Sequence, residues 1–243
     1  MRESILAILS KLEDDYEVRI LYACEAGSRS YGVENEKSDY DIRFIYIAPL
    51  RRYLSIIPVD DTISYKQGEW DIQGWDIQKA LRLALKSNPS LYEWAHSPVF
   101  YMKDEELTDK LRTLAQKEFS KRTLVAHYTN MAKRNLRAFE EKGAPSSLYQ
   151  GLRASLMAEN LSMDGVAATI LMTELIAESI HFSHHDLKNV LDLKNKATNQ
   201  SFNGLLGKIR ACIEQAQQQE TRLPHTKPDI NGIQELFFRK LGI

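Results

Sequence analysis

Asp39 and Asp41 stand two residues apart at the head of a β-rich run, Tyr-Asp-Ile-Arg-Phe-Ile-Tyr-Ile over 40–47. Strand alternation turns both carboxylates to one face. Two like charges this close repel unless a cation neutralises them, and clustered carboxylate oxygens suit a hard divalent ion such as Mg²⁺. Eleven residues before Asp39, Gly27-Ser28 follows directly on another apolar run, Glu-Val-Arg-Ile-Leu-Tyr-Ala-Cys over 17–24. Glycine lets backbone come close to a ligand, and the adjoining N–H groups can point at phosphate. The Ser28 hydroxyl and the Arg29 guanidinium add donors. A metal-binding pair beside a phosphate-cradling turn is what phosphoryl transfer requires. Alone, Asp-x-Asp more often caps a turn at a strand edge. The Gly-Ser bend and the strands on both sides tip the balance toward chemistry.

The elements that must position these groups follow from hydrophobic period and from breakers. Residues 3–13 predict an amphipathic helix, with Ile5, Leu6, Ile8, Leu9 and Leu12 on one side. Residues 17–24 and 40–47 predict two strands, joined by a turn-rich stretch from Gly27 to Ser38 and ended by Pro49. Residues 51–64 are ambiguous, with Pro58 and Asp60-Asp61 marking a turn. Residues 69–75 predict a third strand. Asp76 stands at the N-cap of a helix through Leu85 that Asn88-Pro89 breaks, and a second helix starts at Ser90. Beyond about residue 104 strand signals fade, and helices are expected through Leu107–Phe139, then near 148–161, 166–181, 186–196, 202–220 and 230–241, with a break at Gly143-Ala144-Pro145-Ser146-Ser147. The expected division is an α/β part over 1–104 and an all-helical part over 105–243.

Length and composition bound the classes. The 243 residues are 43% hydrophobic and 27% charged, ordinary for a globular chain and unlike a disordered one. Lys+Arg 32 against Asp+Glu 33 gives a net charge of -1, no global case for nucleic acid, although a local basic groove is compatible with it. Cys24 and Cys212 form no CxxC pair, so neither a zinc site nor a disulfide framework is expected, and a reduced, cytoplasmic setting is. The first residues lack the apolar stretch of a signal peptide, and no run of about 18 apolar residues predicts a membrane span.

The chain resembles the DNA polymerase beta-like nucleotidyltransferase superfamily, which carries Gly-Ser or Gly-Gly after an apolar residue, a spacer, and Asp-x-Asp flanked by apolar residues. Here these are Ala26-Gly27-Ser28 and Asp39-Tyr40-Asp41-Ile42. It is similar in particular to a "predicted nucleotidyltransferase" branch associated with RNA repair. That likeness rests on Gly-Ser-Arg-Ser-Tyr-Gly (27–32), Ser-Asp-Tyr-Asp (38–41), Asp-Ile-Gln-Gly-Trp-Asp-Ile-Gln-Lys (71–79) and Ser-Asn-Pro-Ser-Leu-Tyr-Glu (87–93). Weaker echoes continue through His127-Tyr128, Met131-Ala132 and Leu152-Arg153.

The resemblance implies an α+β fold: a small mixed β-sheet nucleotidyltransferase core with flanking helices, followed by an all-helical C-terminal domain. It implies Mg²⁺ or Mn²⁺ and transfer of a nucleoside monophosphate from an NTP such as ATP to an acceptor hydroxyl, with RNA or tRNA as candidate acceptors. Asp39 and Asp41 would be metal ligands and catalytic. A third carboxylate on a neighbouring strand is implied, and two candidates stand: Asp71, within the third strand with Gln73 and Trp75 on its face, and Asp76, at the strand–helix junction. A strand residue can lie beside Asp39 and Asp41, which favours Asp71, whereas Asp76 also reads as a helix cap. Gly27, Ser28, Arg29 and Lys79 would serve the nucleotide phosphates, Lys79 equally reading as a solvated surface lysine.

Arg43 shares the face of Asp41 and suits either the carboxylates or phosphate; Tyr31 reads better as packing than as base stacking. His181, His184 and His185 read better as a solvated helix end than as a metal site; Arg134, Arg137 and Arg153 suit a basic wall facing the active site, and Lys133-Arg134 reads slightly better as a solvated face. Two other classes of protein fit the same residues: a catalytically inactive nucleotide-binding module, and an antitoxin-like regulatory protein whose helical half packs on a partner chain. The oligomeric state is left open.

Overall fold

The computed structural model describes residues 1–57, 59–165, 168–195 and 202–243. Strands β1 (Arg19–Ala26), β2 (Tyr40–Ile47), β3 (Thr62–Gln67), β4 (Trp70–Asp76) and β5 (Phe100–Lys103) form one sheet in the order β3-β4-β2-β1-β5. β2 and β4 run parallel and every other pair antiparallel, so the sheet is mixed. The fold is α+β. The ambiguous stretch 51–64 resolves into a helical turn, Leu50–Tyr53, and the start of β3; Pro58 lies outside the described residues. β5 has no counterpart in the sequence reading. It is a four-residue edge strand with no buried position, so it carries no alternation to detect.

Helix α1 (Arg2–Tyr16) covers one face of the sheet. Its Ile5, Leu9 and Leu12 pack with Ile20, Ala23, Ile42, Phe44, Tyr46, Ile63 and Ile72. The apolar residues of β2 that point into this core, Ile42, Phe44 and Tyr46, alternate with Asp41 and Arg43, and that alternation is what presents the polar pair on the opposite face. Gly74 is imposed by the same core: a β-carbon there would lie 2.1 Å from the Phe44 ring. On the opposite face Trp75 of β4 packs on Trp94 of α3 (Pro89–Ala95), with ring centroids 4.2 Å apart, and the Tyr22 hydroxyl donates to the Trp94 carbonyl.

Caps mark where the helices begin. Asp76 accepts from Gln78 N at the head of α2 (Ile77–Ala84), and Asn88 accepts from Ser90 and Leu91 N ahead of α3, which opens on Pro89. Asp104 accepts from Leu107 N to start α4 (Glu105–Thr113), which runs on as a π-helical turn over Leu114–Glu118.

The described residues divide into two compact units, 1–119 with 227–243, and 120–226. The sequence reading drew its line at 104–105 instead. α4 and the π turn stay with the sheet through buried Leu107, Leu111 and Leu114. After the second unit, α10 (Ile230–Leu241) returns to the first, where Lys240 pairs with Asp104 at 2.6 Å and with Glu106 at 2.7 Å.

The second unit is helical throughout: α5 (Lys121–Lys142), α6 (Pro145–Ser162), α7 (Met172–Glu178), α8 (His184–Asn195) and α9 (Asn203–Glu220). α6 is its axis, buried at every position from Gly151 to Leu161, as expected of a helix with neighbours on all sides. The helix expected over 166–181 is the shorter α7; residues 166 and 167, like residue 196 at the end of the next expected helix, lie outside the described residues. Among the described residues no helix is long and apolar enough to cross a membrane.

Candidate active site

β1 ends at Ala26, which pairs in register with Asp41 of β2, and Asp41 pairs in turn with Asp71 of β4. Neighbouring strands lie about 4.8 Å apart, so register alone sets the two carboxylates side by side on one face of the sheet. Gly27 closes the other side of Asp41. Its φ is +62°, and a β-carbon there would lie 2.0 Å from Asp41 Oδ2. Only glycine permits both that backbone and that approach.

Arg43, two residues along β2, ties the pair together. Its Nη1 donates to Asp71 Oδ1 at 3.1 Å and to the Asp71 carbonyl at 2.8 Å, and its Nη2 to Asp41 Oδ1 at 3.4 Å. Asp41 nonetheless titrates above the usual carboxylate range. Burial is the main cause, Arg43 opposes it, and the charges of Asp71 and then Asp39 reinforce it.

Asp39 lies just ahead of β2 and is exposed. The backbone before it is held from the Gly27–Ser30 turn: Arg29 Nη2 donates to the Ser38 carbonyl at 2.9 Å and Nε to the Asp39 carbonyl at 3.3 Å, while its guanidinium covers the Tyr40 ring at 3.7 Å. Arg29, expected to face phosphate, spends its donors on positioning the strand entry. The Ser28 hydroxyl, half-exposed beside Gly27, makes no hydrogen bond to any described residue. Tyr31 is packed and donates to Glu93 Oε2 at 2.6 Å.

Asp76 and Lys79 stand elsewhere. Asp76 pairs with Tyr46, five positions along the ladder from Asp41 and Asp71, about 17 Å away at the usual strand rise and on the other face by parity. Its Oδ1 caps Gln78 N at 2.7 Å and its Oδ2 accepts from the Tyr53 hydroxyl at 2.6 Å. Lys79 pairs with Asp61 Oδ1 at 2.7 Å and Thr62 Oγ1 at 2.6 Å, and it lowers the Asp61 pKa. The structure thus brings together Gly27, Asp41 and Asp71, sets Asp39 and Ser28 beside them, and leaves Asp76 and Lys79 at the far end of the sheet.

Glu25 is a residue that sequence reasoning passed over. It is buried, takes Asp41 N on Oε1 at 3.2 Å and the Tyr101 hydroxyl on Oε2, and burial raises its pKa. It fixes the backbone at Asp41 from the α1 side of the sheet. A lone carboxylate inside the apolar run of β1 is the signal that marks it.

Among the described residues one set of three metal-ligating side chains, Glu159, His181 and Cys212, has ligand atoms within 4.8 Å of one another; the three aspartates are not drawn so close. Glu159 accepts from His181 Nδ1 at 2.7 Å, Ile180 N at 3.1 Å and Ser179 Oγ at 2.5 Å, which pins the turn after α7 to α6. His181, expected at a solvated helix end, is largely buried by this latch. Burial and then the Glu159 charge push the Cys212 thiol well up, which leaves it inert.

A family model described as RNA repair pathway DNA polymerase beta family matches residues 1–239. Uncharacterized protein YcgL of Bacillus subtilis (strain 168) is 36% identical over 185 residues, 73% of this chain and 71% of that protein. A solved nucleotidyltransferase-like protein from Exiguobacterium sibiricum 255-15 aligns over 91% of this chain and 75% of its own, at 11% identity and a TM-score of 0.30.

Proposed function

The chain belongs to the RNA repair pathway DNA polymerase beta family, and from that premise we propose that it is a nucleotidyltransferase moving a nucleoside monophosphate from an NTP to a hydroxyl at an RNA end. The observation that carries this reading is the pairing of Asp41 with Asp71 on parallel strands, with Gly27 against Asp41.

The carboxylates fit a divalent cation on the chemistry of their own surroundings. Burial, and then the charges of Asp71 and Asp39, keep Asp41 raised despite Arg43, and hard oxygen donors are what Mg²⁺ or Mn²⁺ takes. Asp39, Asp41 and Asp71 would hold it. When bound it offsets charge on the triphosphate and lowers the pKa of the acceptor hydroxyl. Asp71, the more exposed of the strand pair, takes the acceptor proton. Ser28 donates its hydroxyl to a phosphate oxygen. Arg43 keeps both carboxylates in register before substrate arrives and becomes a donor to phosphate once their charge is otherwise met. Rate gain comes from positioning and electrostatics. RNA and NTPs meet in the cytoplasm, where we place the protein.

The test is transfer of label from an α-labelled NTP to RNA oligonucleotides with Mg²⁺ or Mn²⁺. Asp41→Asn removes several kcal/mol of charge stabilisation and lowers the rate on the order of 10³-fold. Well-folded protein that yields no product with any NTP and any RNA end sinks the reading. One observation favours a second, a nucleotide-binding or regulatory module without turnover: Arg43 already lies on both carboxylates. That module would bind nucleotide with metal and never release pyrophosphate.

A further inference from the structure

Midway along α5, His127, Asn130, Lys133, Arg134 and Arg137 line an open groove of about 540 Å³. At 3.6 residues per turn, His127, Asn130, Arg134 and Arg137 fall within an arc of about 80° and span about 15 Å of helix, with Lys133 at the edge. One charge near each end of the helix is paired, Arg122 with Glu220 at 3.9 Å and Glu140 with Arg210. Lys133, Arg134 and Arg137 have no acidic partner among the described residues. A solvated face in a chain of net charge -1 has as many acids as bases to draw on. Among the described residues, Lys133, Arg134 and Arg137 have drawn none.

We propose that this face of α5 binds the phosphodiester backbone of single-stranded RNA. The inference rests on the reading of an RNA acceptor. The axial spread favours a strand over a compact triphosphate, since about 15 Å of helix carries charges spaced for several successive phosphates of one strand. Arg134 and Arg137 take phosphate oxygens in forked geometry, and Lys133 adds a point charge. The exposed His127 ring offers a surface for a base and Asn130 an amide for base or sugar edges, the mixture single-stranded RNA recognition uses.

The experiment is fluorescence anisotropy of a labelled single-stranded RNA with the full chain, without NTP, over a salt series. Arg134→Gln with Arg137→Gln weakens binding on the order of tenfold at low salt and makes the log–log salt slope shallower by about 1.4, about 0.7 for each phosphate no longer neutralised. Arg134→Lys with Arg137→Lys keeps the salt slope, because the charges remain, while losing part of the affinity with the forked contacts, and Arg210→Gln, at a compensated pair, leaves binding unchanged. Wild-type affinity and slope in the double Gln variant overturn the proposal. So does a double Gln variant that loses affinity for Mg-ATP while keeping that for RNA, because the face then serves a triphosphate. Equal loss of RNA and heparin binding, with His127→Ala and Asn130→Ala silent, overturns the assignment to RNA. Binding that behaves as expected in a protein that never transfers nucleotide leaves this site standing and sinks the transferase reading.

Discussion

Asp41 and Asp71 stand in register on parallel strands, and the guanidinium of Arg43 meets both. Each carboxylate raises the demand for positive charge at the other, and the sheet holds them together regardless of that repulsion.

Asp71 and Asp76 separate by experiment. Asp71→Asn lowers nucleotide transfer on the order of 10²-fold or more and leaves the unfolding midpoint near that of the native chain. Asp76→Ala removes the cap of α2 and the acceptor of the Tyr53 hydroxyl, and lowers stability by about 1–2 kcal/mol while the folded fraction keeps its activity. Urea titration beside a transfer assay reads both. The reverse pattern makes Asp76 the third carboxylate.

Gly27→Ala puts a methyl group within 2.0 Å of Asp41 Oδ2 and forces an L-residue to a φ of +62°. The strain is about 1–2 kcal/mol. Because the clash falls on Asp41, the loss of Mn²⁺ affinity exceeds what the loss of stability explains. Manganese titration by electron paramagnetic resonance on folded variant checks it, and unaltered affinity would count against a metal site at Asp41.

Asp41 sets a pH dependence of defined sign. Its folded pKa lies above the unfolded value of 3.8, so protonated Asp41 favours the fold. Its contribution is full below 3.8 and is lost as pH rises through the raised folded value. At neutral pH ionised Asp41 therefore works against stability. Asp41→Asn raises the melting temperature in EDTA, and Mg²⁺ raises that of the native chain more than that of the variant. Equal Mg²⁺ shifts in the two proteins, measured by calorimetry at several pH values, would contradict this.

Gly74→Ala drives a β-carbon to 2.1 Å from the Phe44 ring in the α1-covered core. Overpacking there destabilises by about 1–3 kcal/mol. Activity per folded molecule holds, because Phe44 and Asp41 face opposite sides of β2. A variant with unchanged urea midpoint would show that the core gives way more readily than its packing indicates.

Much of the site region could be read directly from the chain. Local rules sufficed for the bend at Gly27-Ser28, for β2 over 40–47 with its alternation of Asp41 and Arg43 against Ile42 and Phe44, and for Asp76 as a cap, because each depends on neighbours within a turn or a strand. β5 escaped because a short edge strand has no buried face of its own to imprint a period. Arg29 is expected at phosphate, and Lys79 at phosphate or on a solvated surface, but a long side chain settles on whatever acceptor the fold offers, here the Ser38 and Asp39 carbonyls and the Asp61 carboxylate.

The residue types, the strands β1, β2 and β4, and the glycine at the bend were written in the sequence, since propensity, periodicity and capping act over a few residues. The tertiary structure alone decided that Asp71 faces Asp41, that Arg43 answers both, that Glu25 braces the strand from behind, and that α10 returns to the sheet unit. Register between strands distant in sequence depends on how the shared core fills, and no local stretch of chain carries that information.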